Sequence, residues 1–401
     1  MKDRLLERII KAETNRQQET INLIPSENYV SPDVLAALGS PLTNKYAEGY
    51  PGRRYYPGNN LYDRIELLTQ QRLKKLFKLK DWRVNVQPYS GTPAMLAVYF
   101  ALMEPGEKLL GMSLAAGGHL SHGHRVSLSG RVFQAIQYGV DADSGLIDYD
   151  EVERLALQHK PRVIVSGATA YPRVIDFARF GAIAKKVGAF HLADISHIAG
   201  LVAAGLHPSP FPHADIVVTT THKTLRGPRA AVIFSRDELG DRIDRIIFPG
   251  MQGGPHNNVI AAMAVMAYEA LQPKFKNYQK QIIKNAEALA RALKEKGFEL
   301  ISSGTDNHMM LIKVGDGMKA QKILETAGIT ANRNSLSGDS SPYYPSGLRL
   351  GTPAVTTRGM KEKEMEQIAE WIYQLLIKKE KPEKIRRAVR VFCKKTPRTP
   401  I

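Results

Sequence analysis

A chain of 401 residues is long enough for two or three structural units and for a sizeable core without disulfides. Its 43% hydrophobic and 24% charged residues exclude a disordered, collagen-like or membrane-embedded class, while a single cysteine, Cys393, excludes an intrachain disulfide and suits a reducing compartment. Lys and Arg number 56 against 39 Asp and Glu, a formal charge of +17 that favours anionic ligands without naming one; ten of those cations, against two Glu, fall in residues 378–401.

Residues 1–8 mix acidic and basic side chains and lack the apolar core of a secretory signal. No uninterrupted apolar run approaches the roughly 18 residues needed to span a bilayer, so a cytoplasmic protein with no membrane partner is expected. Residues 3–20 predict a polar helix. An irregular stretch rich in Asn, Tyr, Gly and Pro follows and ends at Pro57-Gly58. Residues 1–58 thus read as an N-terminal arm that lies on another surface, its own or a partner's. From about Leu61, helices alternate with short apolar runs, the pattern of an α/β unit with a largely parallel sheet. Strands are predicted at 84–86, 162–166, 189–193, 215–219 and 230–234, and helices at 94–103, 150–159 and 177–187. These make residues 59–272 the large domain. Beyond it, an amphipathic helix at 278–296, strands at 298–301 and 309–314, a helix at 319–326 and a closing helix at 361–377 predict a smaller α+β domain over 273–401.

Lys223, in Thr219-Thr220-Thr221-His222-Lys223-Thr224, directly follows a strand-like run. That places it at a carboxyl edge, where the ligand crevice of an α/β fold lies; a solvated surface lysine is the plain alternative. Asp194 ends the preceding apolar run about one βα unit earlier, with a helix or turn cap as its alternative. An acid and a lysine on neighbouring edges are what a pyridoxal phosphate site requires, since the amine forms a Schiff base and the carboxylate keeps the ring nitrogen protonated. Ser90-Gly91-Thr92 leads into a helix with Pro93 at its first position, so N–H groups and two hydroxyls can converge on a phosphate, or simply cap the helix. The glycines of Phe248-Pro249-Gly250-Met251-Gln252-Gly253-Gly254-Pro255 either supply further amides or form a loop. Arg349, between Gly347 and Gly351, can grip a carboxylate with two hydrogen bonds and is otherwise a surface arginine.

As a set, Ile24-Pro25-Ser26-Glu27-Asn28, Asn44-Lys45-Tyr46-Ala47-Glu48-Gly49-Tyr50-Pro51-Gly52, Arg54-Tyr55-Tyr56, Gly117-Gly118-His119-Leu120-Ser121-His122-Gly123, Thr220-Thr221-His222-Lys223-Thr224-Leu225-Arg226-Gly227-Pro228-Arg229, Gln252-Gly253-Gly254-Pro255 and Arg349 with Gly351-Thr352-Pro353-Ala354 resemble the serine hydroxymethyltransferase family over nearly the whole chain. The resemblance implies the aspartate aminotransferase-like fold type I, an α/β large domain with a mostly parallel sheet plus a smaller α+β C-terminal domain. It implies reversible transfer of the serine hydroxymethyl group to tetrahydrofolate, giving glycine and 5,10-methylenetetrahydrofolate. The implied cofactor is pyridoxal 5'-phosphate, carried as a Schiff base on Lys223, with tetrahydrofolate as co-substrate and a homodimer with shared active sites, a tetramer being left open.

By the same resemblance Asp194 partners the ring nitrogen and His119 stacks on the ring, while His197 and Thr169 sit near its phenolic oxygen. Ser90, Gly91 and Thr92 cup the phosphate, joined by Gly253 and Gly254 of the second subunit. Tyr46 and His222 complete the cofactor-binding set and Thr220 the catalytic one. Ser26, Arg349 and a partner-derived Tyr56 match the substrate-carboxylate site, and Glu48, also partner-derived, matches the proton-transfer carboxylate. Leu114, Gly118, Leu120 and Asn334 match pterin contacts; Tyr55 and Phe248 match partner-supplied folate contacts. No metal is implied. The chain departs from the family pattern at Thr169, where serine is common, at Ala116, where histidine is frequent, at Pro57-Gly58-Asn59-Asn60, and in loop 335–344, one residue shorter than typical. All four touch the cofactor rim or the folate side.

Two other readings compete. A folate-independent β-hydroxy amino acid aldolase of the threonine type would share the cofactor chemistry, but Glu48 and the folate-side matches speak against it. A basic RNA-binding protein is suggested by residues 384–392, where Ile385, Ala388, Val389 and Phe392 keep helical spacing; a closing helix docked on the small domain, which the resembled family normally has there, is the favoured alternative, and a nucleic-acid partner is not expected.

Overall fold

The structure, a computed structural model, describes residues 1–339 and 343–396. It divides into two compact units, Met1–Tyr29 with Lys280–Ile401, and Val30–Gln279. In chain order, β1 (Ile21–Asn22) belongs to the first; β2 (Gly49–Tyr50), β3 (Arg53–Arg54), β4 (Trp82–Asn85), β5 (Lys108–Met112), β6 (Gln134–Tyr138), β7 (Val163–Ser166), β8 (Phe190–Asp194), β9 (Ile216–Thr220) and β10 (Ala231–Arg236) belong to the second; β11 (Met309–Lys313), β12 (Ile329–Thr330), β13 (Asn332–Asn334) and β14 (Gly347–Gly351) return to the first.

The second unit is organised by a seven-stranded sheet of order β4-β10-β9-β8-β7-β5-β6. Every pairing is parallel except those of β10, which runs against both β4 and β9. Six carboxyl ends therefore share one edge. Strands buried on both faces need apolar side chains throughout; β7 and β9 satisfy this with Val163, Ile164, Val165, Ile216, Val217 and Val218. The helix Gly91–Leu102 is apolar on all sides and packs against β9 and β10 at the centre of the core. It begins two residues before the expected Pro93 start. Helices Tyr149–His159 and Phe177–Val187 are capped by Asp148 and Asp176, whose carboxylates accept from the first-turn N–H groups. Strands β5 and β6 were not among those predicted: β6 is a half-exposed edge strand with Gln at two of five positions, and its apolar content is too low to stand out.

In the first unit β14 lies between β11 and β13, antiparallel to both. The strand expected at 298–301 reduces to one bridge, Leu300 with Ile312, because the chain turns at once into a short 3-10 helix, Ile301–Ser303, in which Ser302 takes a left-handed φ of 54°. Residues 1–58 are shared between the units. Ile21 and Leu23 are fully buried, and β1 pairs in parallel with β12. Val34 is buried too, in the helix Pro32–Leu38, which packs on the helix Asn257–Ala270 in the second unit. The buried Arg358 ties the N-terminal segment to the C-terminal helix Pro382–Lys395, donating to the carbonyls of Thr20, Gln18 and Cys393 at 2.8, 3.0 and 3.1 Å. That helix buries Ile385, Val389 and Cys393 and sets Phe392 against Trp371, so the apolar face of the basic segment is docked and its charges face water. Residues 340–342 of the 335–344 loop and the end of the basic tail, 397–401, lie outside the described residues. Among the described residues no helix is long and apolar enough to cross a membrane, and no cluster of three or more His, Cys, Asp or Glu could hold a metal ion.

Candidate active site

The residues singled out in the second unit gather where the parallel strands end. Ser90, Gly91 and Thr92 follow β4, residues 114–122 follow β5, Thr169 follows β7, Asp194 ends β8, and Thr220, His222 and Lys223 end or follow β9. Adjacent β8 and β9 pair Asp194 with Val218, which brings the acid and the lysine to the same edge. Ser196 locks the two ends together: its N–H donates to Asp194 at 3.0 Å, and its hydroxyl accepts from the Thr220 N–H at 3.0 Å. Lys223 is buried in a loop fixed by Thr224, whose hydroxyl donates to the His197 carbonyl. Two glycines make the approach possible. Gly167, at φ +122°, lies so close to Asp194 that a Cβ would run into its carbonyl, and a Cβ on Gly91 would stand 2.8 Å from the Thr220 methyl.

Burial works to raise the Asp194 pKa. The hydrogen bond from His122, the charge of Lys223 and the Ser196 bond outweigh it and hold the carboxyl well below the usual range. His122 Nε2 lies 3.0 Å from Asp194 Oδ2, and its Nδ1 accepts from the His119 N–H at 3.3 Å. Since an N–H only donates and a carboxylate only accepts, the proton of a neutral His122 sits on Nε2. His119 is half-buried, with Nδ1 facing Ser121. Burial, with the charges of Lys223 and Arg229, pushes His222 down to about 3, so its imidazole is neutral at physiological pH. Its Nδ1 and the Thr220 hydroxyl are buried polar atoms without a protein partner. Ser90 makes no side-chain cap to its own helix, and the first N–H groups of that helix stay open.

A second cluster is carried by the β2–β3 hairpin. Glu48 and Tyr46 lie against Gly253 and Gly254, where a Cβ would meet Glu48 Oε1 at 3.3 Å and the Tyr46 ring at 3.4 Å. Tyr46 packs on Tyr56 with ring centroids 5.1 Å apart, and Tyr55 meets Phe248 at 5.5 Å. Beneath them Arg54 fixes the hairpin, donating to the carbonyls of Ala47 and Gly49 and to the carboxylates of Asp63 and Glu66. Glu66 is buried, and its second donor is Gln87. So Glu48, Tyr46, Tyr55, Phe248, Gly253 and Gly254 assemble on one chain as a group. Leu114 is half-buried, Gly118 buried and Leu120 exposed, all in the loop after β5.

In the first unit Arg349 lies on β14, opposite Asn332 of β13, to whose Oδ1 its Nε donates at 3.2 Å. It is 7% exposed, and burial pushes its guanidinium down to about 10, still a cation at neutral pH. Asn334 ends β13 and donates to the Ser335 carbonyl; Ser26 is half-buried in the turn after β1. Three residues with evident structural roles carried no assignment from sequence: His122, Ser196 and Arg54. The motif containing His122 was visible, but its bond to a carboxylate 72 positions away was not.

A family model, serine hydroxymethyltransferase, matches residues 1–372. With that span covering all but the last 29 of 401 residues, the chain belongs to the serine hydroxymethyltransferase family, enzymes that use pyridoxal phosphate with tetrahydrofolate as co-substrate.

Proposed function

We propose that this enzyme moves the hydroxymethyl group of serine reversibly to tetrahydrofolate, giving glycine and 5,10-methylenetetrahydrofolate, and that it works as a cytoplasmic homodimer with shared sites. One observation carries the reading: an ionised Asp194 and a buried Lys223 at the ends of adjacent parallel strands. When bound, pyridoxal phosphate supplies an electron sink that lets the Cα–Cβ bond of serine break. The residues present fit that group. Asp194 offers an anion to a protonated ring nitrogen, Lys223 an amine to the aldehyde, and the open helix start at Ser90, Gly91 and Thr92 a cradle to the phosphate. The unsatisfied Thr220 hydroxyl and His222 Nδ1 are buried polar atoms that a polar ligand would satisfy.

In this reading His122 keeps Asp194 ionised and aimed, so the proton stays on the ligand nitrogen rather than on the acid. His119 would hold the ring on one face, and His197 and Thr169 would hold its phenolic oxygen. Arg349, with Ser26 and a second copy's Tyr56, binds the substrate carboxylate; in a buried setting such a charge-assisted pair is strong. Glu48 of the second copy takes and returns the proton at the serine hydroxyl oxygen, with Tyr46, Gly253 and Gly254 beside it. Leu114, Gly118, Leu120 and Asn334, with Tyr55 and Phe248 of the second copy, contact the pterin. The test is glycine formation from serine by the holoenzyme with and without tetrahydrofolate. A rate that rises and saturates with tetrahydrofolate is expected; a rate indifferent to it identifies a folate-free aldolase and contradicts the proposal.

A further inference from the structure

The second unit holds a cleft of about 960 Å³ whose lining shares no residue with either cluster described above. It opens at the other end of the sheet, where Arg236, the last residue of β10, pairs with Trp82, the first of β4. Five cations, Lys75, Lys78, Lys80, Lys276 and Arg236, line it against a single acid, Asp81. Among the described residues none of the five makes a salt bridge, although the charge of Arg236 also acts on Asp215. Five cations lining one concavity against one acid raise the local positive potential, so the arrangement favours an anion that can meet several of them at once.

The back of the cleft is apolar and closely packed. Phe77, Trp82 and Phe211 pack ring to ring at 5.0 to 5.3 Å, and Phe275 is buried beside them. Arg236 bridges wall and rim: its guanidinium lies 4.5 Å from the Trp82 ring, Nη2 donates to the Phe211 carbonyl, and among the described residues no other hydrogen bond ties its fork. A positive rim over an apolar wall, within the roughly 300–1,000 Å³ range of small-molecule sites, suits a ligand with a flat apolar body and a polyanionic chain. We propose that this cleft binds a nucleoside polyphosphate, its phosphates on the lysines and Arg236 and its base against the apolar wall.

The test is calorimetric titration of the holoenzyme, in which pyridoxal phosphate already fills its own phosphate site, with ATP, inorganic triphosphate and triglutamate. ATP is expected to bind with a sub-millimolar Kd that weakens with salt, about tenfold or more tighter than triphosphate. The triple variant Lys75→Glu/Lys78→Glu/Lys80→Glu should weaken ATP binding at least about tenfold while leaving serine turnover unchanged. Lys276→Glu alone repeats the test with a smaller loss, should the triple variant fold poorly. Absence of saturable ATP binding, or affinity unchanged in both variants, overturns the proposal. Triphosphate binding as tightly as ATP overturns the base contact, and triglutamate binding more tightly than ATP overturns the phosphate assignment.

Discussion

His122 and Asp194 face each other almost out of reach of solvent, whereas Tyr46, Tyr55 and Tyr56, around Glu48, leave 56%, 74% and 45% of their surfaces open. The first cluster is complete in one chain: charge, hydrogen bonds and burial set the state of Asp194 before any ligand arrives. The second is held firmly from below by Arg54 and Glu66 yet presents aromatic surface outward. A rigid base under an exposed aromatic cap is what an interface needs, because little ordering entropy remains to be lost when the cap is covered. Under the proposal of shared sites, the two clusters of one chain serve two different sites.

The largest effect that separates the clusters is at Lys223. Lys223→Ala should lower serine turnover at least about 10³-fold and abolish the borohydride-trapped cofactor link seen by mass spectrometry. Trapping at another lysine would remove Lys223 from its role. Arg349→Ala comes next and should raise the serine KM about 10- to 100-fold, with a smaller change in kcat, as expected for loss of a charge-assisted pair; steady-state kinetics with an unchanged KM would point to another anchor.

A smaller effect probes the buried side alone, through His191 on β8, three residues before Asp194. Its Nδ1–H donates to the His213 carbonyl, its Nε2 accepts from Ser166, and burial pushes it down to about 4. Because that value lies below the ordinary 6.5, the neutral ring's contribution is fully present above about 6.5. It is lost as pH falls from there towards 4, on the order of 3 kcal/mol at most. Urea unfolding should show this loss in the wild type and a flatter profile in His191→Gln. Equal pH dependence of the two proteins would contradict the assignment.

How much could be read in advance follows the same division. The core helices and the strands β7 to β10 were legible because apolar runs and helical periodicity are local signals, and Asp194 and Lys223 stood out because one ends such a run and the other closely follows one. The Arg54–Glu66 strut and the His122–Asp194 bond were not, since both depend on which segments the sheet order brings together. The division of residues 1–58 between two units was hidden for a related reason: β1 is only two residues long, and its partner β12 lies about 300 positions away in sequence. The strand expected at 298–301 failed because a local turn at Ser302 overrides the apolar pattern.

The most direct test mixes subunits carrying Lys223→Ala with subunits carrying Glu48→Gln, each nearly inactive alone, and assays purified mixed dimers for serine-to-glycine conversion. If Glu48 acts in the partner's site, each mixed dimer regains one intact site and about half of the wild-type rate. Verified mixed dimers that stay as inactive as their parents would show that each chain holds its own complete site and would contradict the account.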